Sequence, residues 1–172
     1  MEVRLSDFDK DWRNMYLEEC RIIKSILEDE VISFEHFGST SIEGMKAKPV
    51  IDMMVIVNNI EKIDLFDDEF LSRGYDLAGE WGIKGRRLIR KGGINRTHHI
   101  HIYEQSNPEI DRHLILRDYL REHREAAIEY SKYKEKLAEE YNETAGYSKA
   151  KKSYVKNLEQ QAIRWYGSKV TK

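Results

Sequence analysis

The residues best suited to chemistry fall in two short stretches. The first runs from a turn of small residues, Gly38-Ser39-Thr40-Ser41, to a lone carboxylate, Asp52. That carboxylate sits inside the most apolar run of the chain, Val50-Ile51-Asp52-Met53-Met54-Val55-Ile56-Val57. A turn of small residues leaves backbone N–H groups open to phosphate oxygens. An aspartate within an apolar strand is costly to bury unless something pairs with it, and beside a phosphate site a metal ion is the chemically sensible partner. Taken singly, Gly38-Ser39 is an ordinary turn, and Asp52 has an equal claim to be a carboxylate bonded to an arginine or to backbone. The second stretch is Thr97-His98-His99-Ile100-His101-Ile102-Tyr103. Residues two apart in a strand share a face, so His99 and His101 lie together while Ile100 and Ile102 point to the opposite, core face. If the two strands are neighbours, His99 and His101 stand on the same open face as Asp52. Asp plus His-x-His suits Zn or Mn better than Mg. The alternative is a histidine pair that only hydrogen-bonds to substrate or lines a wet sheet face. His36, just before the turn, is placed to support it.

Basic residues flank both stretches. Lys46 and Lys48 lie between the turn and Asp52, and Arg86, Arg87, Arg90 and Lys91 form a run in a glycine-rich segment. Most of these are expected on solvated surface, with one or two, Lys48 and Arg87 foremost, neutralising phosphate. Arg117-Asp118 reads as a structural ion pair fixing helices to sheet. Tyr130, Tyr133, Tyr141, Tyr154 and Trp165 recur at helical spacing and read as core rather than as a base-stacking platform.

The elements that must position these groups follow from periodicity. Asp9 is placed to cap a helix over 10–29, in which Cys20 reads as a small buried apolar residue. A strand spans Val31–Phe37, and a second spans Lys48–Val57 with Pro49 near its start, where a missing N–H does least harm. A helix over 60–73 ends at Gly74. Glycines 79, 82 and 85 mark a hairpin or loop between short strands over 75–91, and a further strand covers 96–104. Pro108 opens an all-helical second half with helices over 109–123, 125–141 and 148–166. Strands followed by helices predict an α+β fold, a mixed β-sheet with flanking helices and a C-terminal helical bundle. With no linker between the halves, one domain over 1–172 is expected, its α/β core at 1–107 and its helical part at 108–172.

At 172 residues the chain can bury a full core. Charged residues make up 35% of it, yet the net charge is only −2, which argues against a duplex nucleic-acid binder. A single cysteine excludes an internal disulfide framework, the N-terminus shows no apolar signal core, and no run reaches the roughly 20 apolar residues of a membrane helix. A cytoplasmic location is expected.

The string Gly38-Ser39-Thr40-Ser41-Ile42-Glu43-Gly44-Met45-Lys46-Ala47-Lys48-Pro49-Val50-Ile51-Asp52 resembles the hallmark segment of the GrpB family. His98-His99-Ile100-His101, Leu116-Arg117-Asp118-Tyr119-Leu120-Arg121 and Tyr147-Ser148-Lys149-Ala150-Lys151 resemble further segments of it, so the similarity runs from about Trp12 to Trp165. The family looks like a branch of the nucleotidyltransferase superfamily, and a similar domain occurs fused behind dephospho-CoA kinases. The resemblance implies that Gly38, Ser39 and Thr40 hold phosphate and that Asp52 is a metal-binding, catalytic carboxylate. It sets His99 and His101 where the superfamily carries its third carboxylate. The superfamily's second carboxylate is replaced here by Met54, whose thioether is a poor ligand for a hard ion. The expected ligand is a nucleotide or another phosphate-bearing small molecule, with a divalent ion (Mn, Zn or Mg) as cofactor and no membrane partner. A non-catalytic nucleotide- or coenzyme-binding module, and a protein-interaction module with a vestigial site, stand as alternatives.

Overall fold

The computed structural model describes residues 4–141 and 143–170. The first three residues of the N-terminal segment read above lie outside them. Helix α1, Asp11–Leu27, opens the structure, and Asp9 Oδ1 accepts from the Asp11 N–H at 2.8 Å in the expected capping role. Strand β1 is Val31–Phe37. A 3-10 turn, Ser39–Ser41, follows. Strand β2 is Ile51–Val57, shorter at its start than the pattern predicts, because Pro49 has no N–H and the Val50 N–H folds back onto Lys48 O at 2.7 Å.

The helix expected over 60–73 is two helices, α2 (Ile60–Ile63) and α3 (Asp67–Ser72), with a 3-10 turn at Asp64–Phe66 between them. Strands β3 (Asp76–Gly79), β4 (Arg86–Lys91) and β5 (His98–Glu104) complete a five-stranded mixed sheet in the order β1-β2-β5-β4-β3. The β2–β5 pair is parallel and the other pairs are antiparallel. The fold is therefore α+β, with helices α4 (Glu109–Glu122), α5 (Arg124–Glu140) and α6 (Thr144–Val170) after the sheet.

Alternation divides the sheet into two unlike faces. Ile51, Met53, Val55 and Val57 of β2 and Ile100 and Ile102 of β5 pack with Ile89, Phe70 and the buried side of α1 into the main core. Each such side chain contributes about 1.5–3 kcal/mol by leaving water. The other face carries Phe37, Asp52, Met54, Arg86, Arg90, His99, His101 and Tyr103. Helix α4 closes only part of it, through Ile110 packed with Phe37, Met54 and Tyr103. The helical bundle also packs on the turn region, since Ile42 and Met45 join Leu120, Ala127, Tyr130 and Leu158 in one cluster. Tyr130, Tyr133 and Tyr154 stack within this bundle, but of the five expected core aromatics only Tyr130 is buried, and Tyr141, at the end of α5, is exposed. Cys20 is half-buried and packs at the edge of the main core. Among the described residues no helix is long and apolar enough to cross a membrane.

Arg117 ties the bundle to the sheet, although its sheet partner was not legible in the sequence. Its guanidinium donates to Asp118 at 2.9 Å on its own helix, and also to Glu35 Oε2 at 2.6 Å and the His36 carbonyl at 3.1 Å on β1. Arg117→Met leaves Glu35 without that partner and should cost about 2 kcal/mol in urea unfolding, with Arg117→Lys recovering only part because an ammonium cannot make the same fork. An unchanged unfolding midpoint in Arg117→Met would show the tether to be idle.

Candidate functional site

Asp52 lies where β2 meets the open face, opposite His99 on β5 and Phe37 on β1. Its Oδ1 is 3.2 Å from His101 Nε2 and 3.8 Å from His99 Nδ1. The other ring nitrogen of His101, Nδ1, is 3.2 Å from an Arg86 terminal nitrogen. A guanidinium only donates, so Nδ1 accepts, and the ring hydrogen sits on Nε2 and is donated to Asp52. Arg86 is itself buried and anchored on the Glu80 and Trp81 carbonyls at 3.2 and 2.8 Å. A relay Arg86→His101→Asp52 results. Burial pushes the Asp52 carboxyl up, but the His101 hydrogen bond and the positive charge around it, Lys151 included, outweigh this and hold it below the usual range. Asp52 is therefore ionised at neutral pH. Burial holds His99 below its ordinary value and hence neutral, against the opposing pull of Asp52.

The turn is shaped around this carboxylate. Gly38 has φ 71°, and a β-carbon there would lie 2.7 Å from Asp52 Oδ2, so only glycine lets the backbone lie against the acid. Ser41 Oγ donates to the Gly38 carbonyl at 2.6 Å. Thr40 is buried and its hydroxyl meets His36 Nε2 at 2.9 Å, so its side chain braces the turn and does not face a ligand. His36 stacks on Tyr16 with ring centroids 4.9 Å apart, and burial together with Arg121 pushes its pKa down to about 4. Its supporting role thus lies behind the turn.

Ser39 Oγ faces the helices, where it accepts from Lys134 Nζ at 3.0 Å. Lys134 is only 2% exposed, also donates to the Lys46 carbonyl, and lies 4.8 Å from the Tyr130 ring centroid. Lys48 and Lys151 place their ammonium groups 5.3 and 5.5 Å from the ring centroid of Tyr147, which is fully buried. Burial lowers all three lysines, Lys134 to about 7, with Lys151 and Lys48 pushing it further down. The sequence reading reached Lys48 but missed Lys134 and Lys151. One signal was present: Lys134 stands at i+4 from Tyr130 on the buried stripe of α5, where a lysine has no ordinary reason to be.

Besides Thr40, two more of the expected site groups fall elsewhere or take other work. Arg87 alternates to the opposite face, beside Ile102, and forks onto Asp64 at 2.7 and 3.2 Å, so it is not part of this site. The strand period moves it, and its neighbour Arg86 takes the inward place. Both ring nitrogens of His101 are engaged, which makes it a positioning group for Asp52. Met54 is fully buried under α4 with Phe37 and Tyr103, so it presents no ligand to the open face. Among the described residues no group of three or more His, Cys, Asp or Glu has the arrangement of a metal centre. Asp52 Oδ2 and His99 are two donors, too few to hold an ion without oxygens from a ligand.

Comparison with known proteins agrees over the whole of this architecture. The profile of a family described as GrpB protein matches residues 2–161. The UPF0157 protein YqkA of Bacillus subtilis is 42% identical over 165 residues, which are 95% of this chain and 48% of YqkA, so the chain spans about half of that relative's length. The UPF0157 protein SCO7215 of Streptomyces coelicolor is 34% identical over 163 residues, covering 94% of this chain and 85% of that protein. The crystal structure of the conserved protein GrpB from Enterococcus faecalis superposes with a TM-score of 0.90 at 41% identity, covering 95% of this chain and 99% of that one.

Two outcomes are expected from this geometry. Gly38→Ala drives a methyl into the Asp52 carboxylate at a positive φ, and should lower stability by about 1–3 kcal/mol while displacing Asp52. A crystal structure of the variant with Asp52 unmoved and an unchanged melting temperature would contradict it. The depressed His36 pKa makes the unfolded chain take up a proton first as pH falls. Stability should therefore drop between about pH 6.5 and 4, by up to about 3 kcal/mol, and then level off for this group. Burial holds His113 on α4 to about 3, which adds a loss of the same sign and extends it to lower pH. Urea unfolding across that range should give a shallower slope for His36→Asn, and an identical slope would remove His36 as the cause.

Proposed function

The chain belongs to the GrpB family, and from that premise we propose that it binds a nucleotide or another phosphate-bearing small molecule and acts on it as a nucleotidyltransferase-type enzyme. The observation that carries this reading is Asp52 held ionised by the His101 N–H, 3.2 Å away, against the backbone of the Gly38-Ser39 turn. Charge fixed in one place beside open backbone N–H groups suits a phosphate and a divalent ion bound together. Asp52 Oδ2 and His99 would hold such an ion jointly with phosphate oxygens, and when bound it supplies Lewis-acid stabilisation of phosphoryl charge. His101 and Arg86 keep the carboxylate aimed, and neutral His99 is available to accept a proton at Nδ1 or to ligate. A reducing cytoplasm suits the single free cysteine.

One observation favours a second reading, a module that binds the same ligand without transferring anything. Met54 gives the site one carboxylate where two-metal transfer uses more. Turnover separates the two readings: phosphorus NMR of a nucleotide incubated with protein and Mn²⁺ shows new phosphate signals for an enzyme and an unchanged spectrum for a binder.

Calorimetry of ATP and CTP with Mn²⁺ should give binding that Asp52→Asn weakens at least tenfold, with little change in melting temperature, since the amide oxygen fills the same space and still accepts the His101 N–H. Mn²⁺ should support tighter binding than Mg²⁺, because an imidazole donor favours the later ion. Equal affinity in wild type and Asp52→Asn would take Asp52 out of the site, and a collapsed melting temperature would make it structural.

A further inference from the structure

We propose that Lys48, Lys134 and Lys151 form a polyphosphate subsite beside Ser39, so that the ligand of this protein carries a di- or triphosphate rather than a single phosphate. This rests on the reading that a phosphate-bearing ligand docks at the Gly38-Ser39 turn.

The three lysines come from separate places, the segment before β2, the middle of α5 and the first turns of α6. They converge on one wall. Lys134 Nζ reaches Ser39 Oγ at 3.0 Å, and Lys48 and Lys151 flank the single ring of Tyr147 at 5.3 and 5.5 Å. Among the described residues no carboxylate forms an ion pair with any of the three. The contrast with Lys46 is informative, because that exposed neighbour pairs with Asp7 at 3.1 Å and with Glu135 at 3.6 Å. Acidic groups at the surface are engaged with Lys46, while the inner ammonium groups have no ion-pair partner among the described residues and only the more distant pull of Asp52 on Lys48 and Lys151. Tyr147 adds to this: its hydroxyl is buried and has no hydrogen-bond partner among the described residues.

Gathering three ammonium groups, Lys134 buried and Lys48 and Lys151 half-buried, with Asp52 drawing on two of them but ion-paired to none, opposes folding unless further negative charge offsets it. Burial lowers each of them, and Lys151 and Lys48 push Lys134 further down. A core hydrogen-bond strut would need one lysine, and Lys134 alone serves that purpose through the Lys46 carbonyl. It would need neither Lys48 nor Lys151. An anion of several charges does need them, and a polyphosphate has the length to run from the turn at Ser39 along the three ammonium groups. Asp52 lies against Gly38, next to Ser39 in the chain, and draws on Lys48 and Lys151, so a chain of phosphates would leave one of them near the carboxylate and the rest among the lysines.

The test is calorimetric titration of the full chain with orthophosphate, pyrophosphate and tripolyphosphate, in low salt with a chelator and no added metal. Affinity should rise in that order. Lys151→Gln and Lys48→Gln should each weaken tripolyphosphate binding at least tenfold, with melting temperature unchanged or raised, and Asp52→Asn should bind it as tightly as wild type or more so. Among the described residues neither the Lys48 nor the Lys151 side chain has a hydrogen bond that its loss would break, so these variants carry the test even if Lys134→Met is unstable. Tripolyphosphate binding that is absent in wild type, or that survives both substitutions unchanged, overturns the subsite. Failure of the functional reading looks different. If nucleotide binding with Mn²⁺ is indifferent to Asp52→Asn but lost in the lysine variants, the subsite stands and the role of Asp52 falls. If the lysine variants bind nucleotide normally while Asp52→Asn does not, the reverse holds.

Discussion

An ionised carboxylate in the middle of an apolar strand is the constraint around which this protein is arranged. Asp52 sits between Ile51 and Met53, both fully buried, and its charge must be met on the one face left open to it. The His101 N–H meets it directly, and Arg86 fixes the ring that supplies that N–H. Gly38 is forced by the same carboxylate, because any side chain there would occupy its space. The turn, the two histidines and the buried arginine are thus consequences of a single charge placed where hydrophobic energy would exclude it.

The sheet and the helices divide the work. The sheet supplies rigidity: β2 and β5 are adjacent and parallel, so Asp52, His99 and His101 keep their spacing through backbone hydrogen bonds rather than through loop conformation. The helices supply most of the positive charge, with Lys134 on α5 and Lys151 on α6. The Arg117–Glu35 pair and the Ile42–Met45 contacts with the bundle hold these two parts in register. Acidic and basic sides of the site therefore come from different layers and meet at Ser39.

Met54 shares the sheet face of Asp52, and packing explains its type. Helix α4 lies over this end of the open face, and Phe37, Tyr103 and Ile110 close around the thioether. A carboxylate at that position would be buried among apolar groups without a partner, at a cost far above that of exposing it. Methionine fills the irregular space that remains.

The sequence by itself determined the alternation that separates Asp52, His99 and His101 from the core face, because a strand's period of two depends only on local geometry. It also marked the Gly-Ser turn and the all-helical second half, through residue types whose backbone preferences are local. It could not decide which of Arg86 and Arg87 points inward, since a run of basic residues has no polarity contrast to set its phase. Only the pairing of β4 with β5 settles that. Nor could it bring Lys134 to Ser39, 95 residues away along the chain. That meeting depends on how the bundle seats on the turn, and a long-range contact of this kind leaves no periodic trace in the segments that make it. The tautomer of His101 was hidden for the same reason: it is set by Arg86 and Asp52 acting from neighbouring strands on either side of β5.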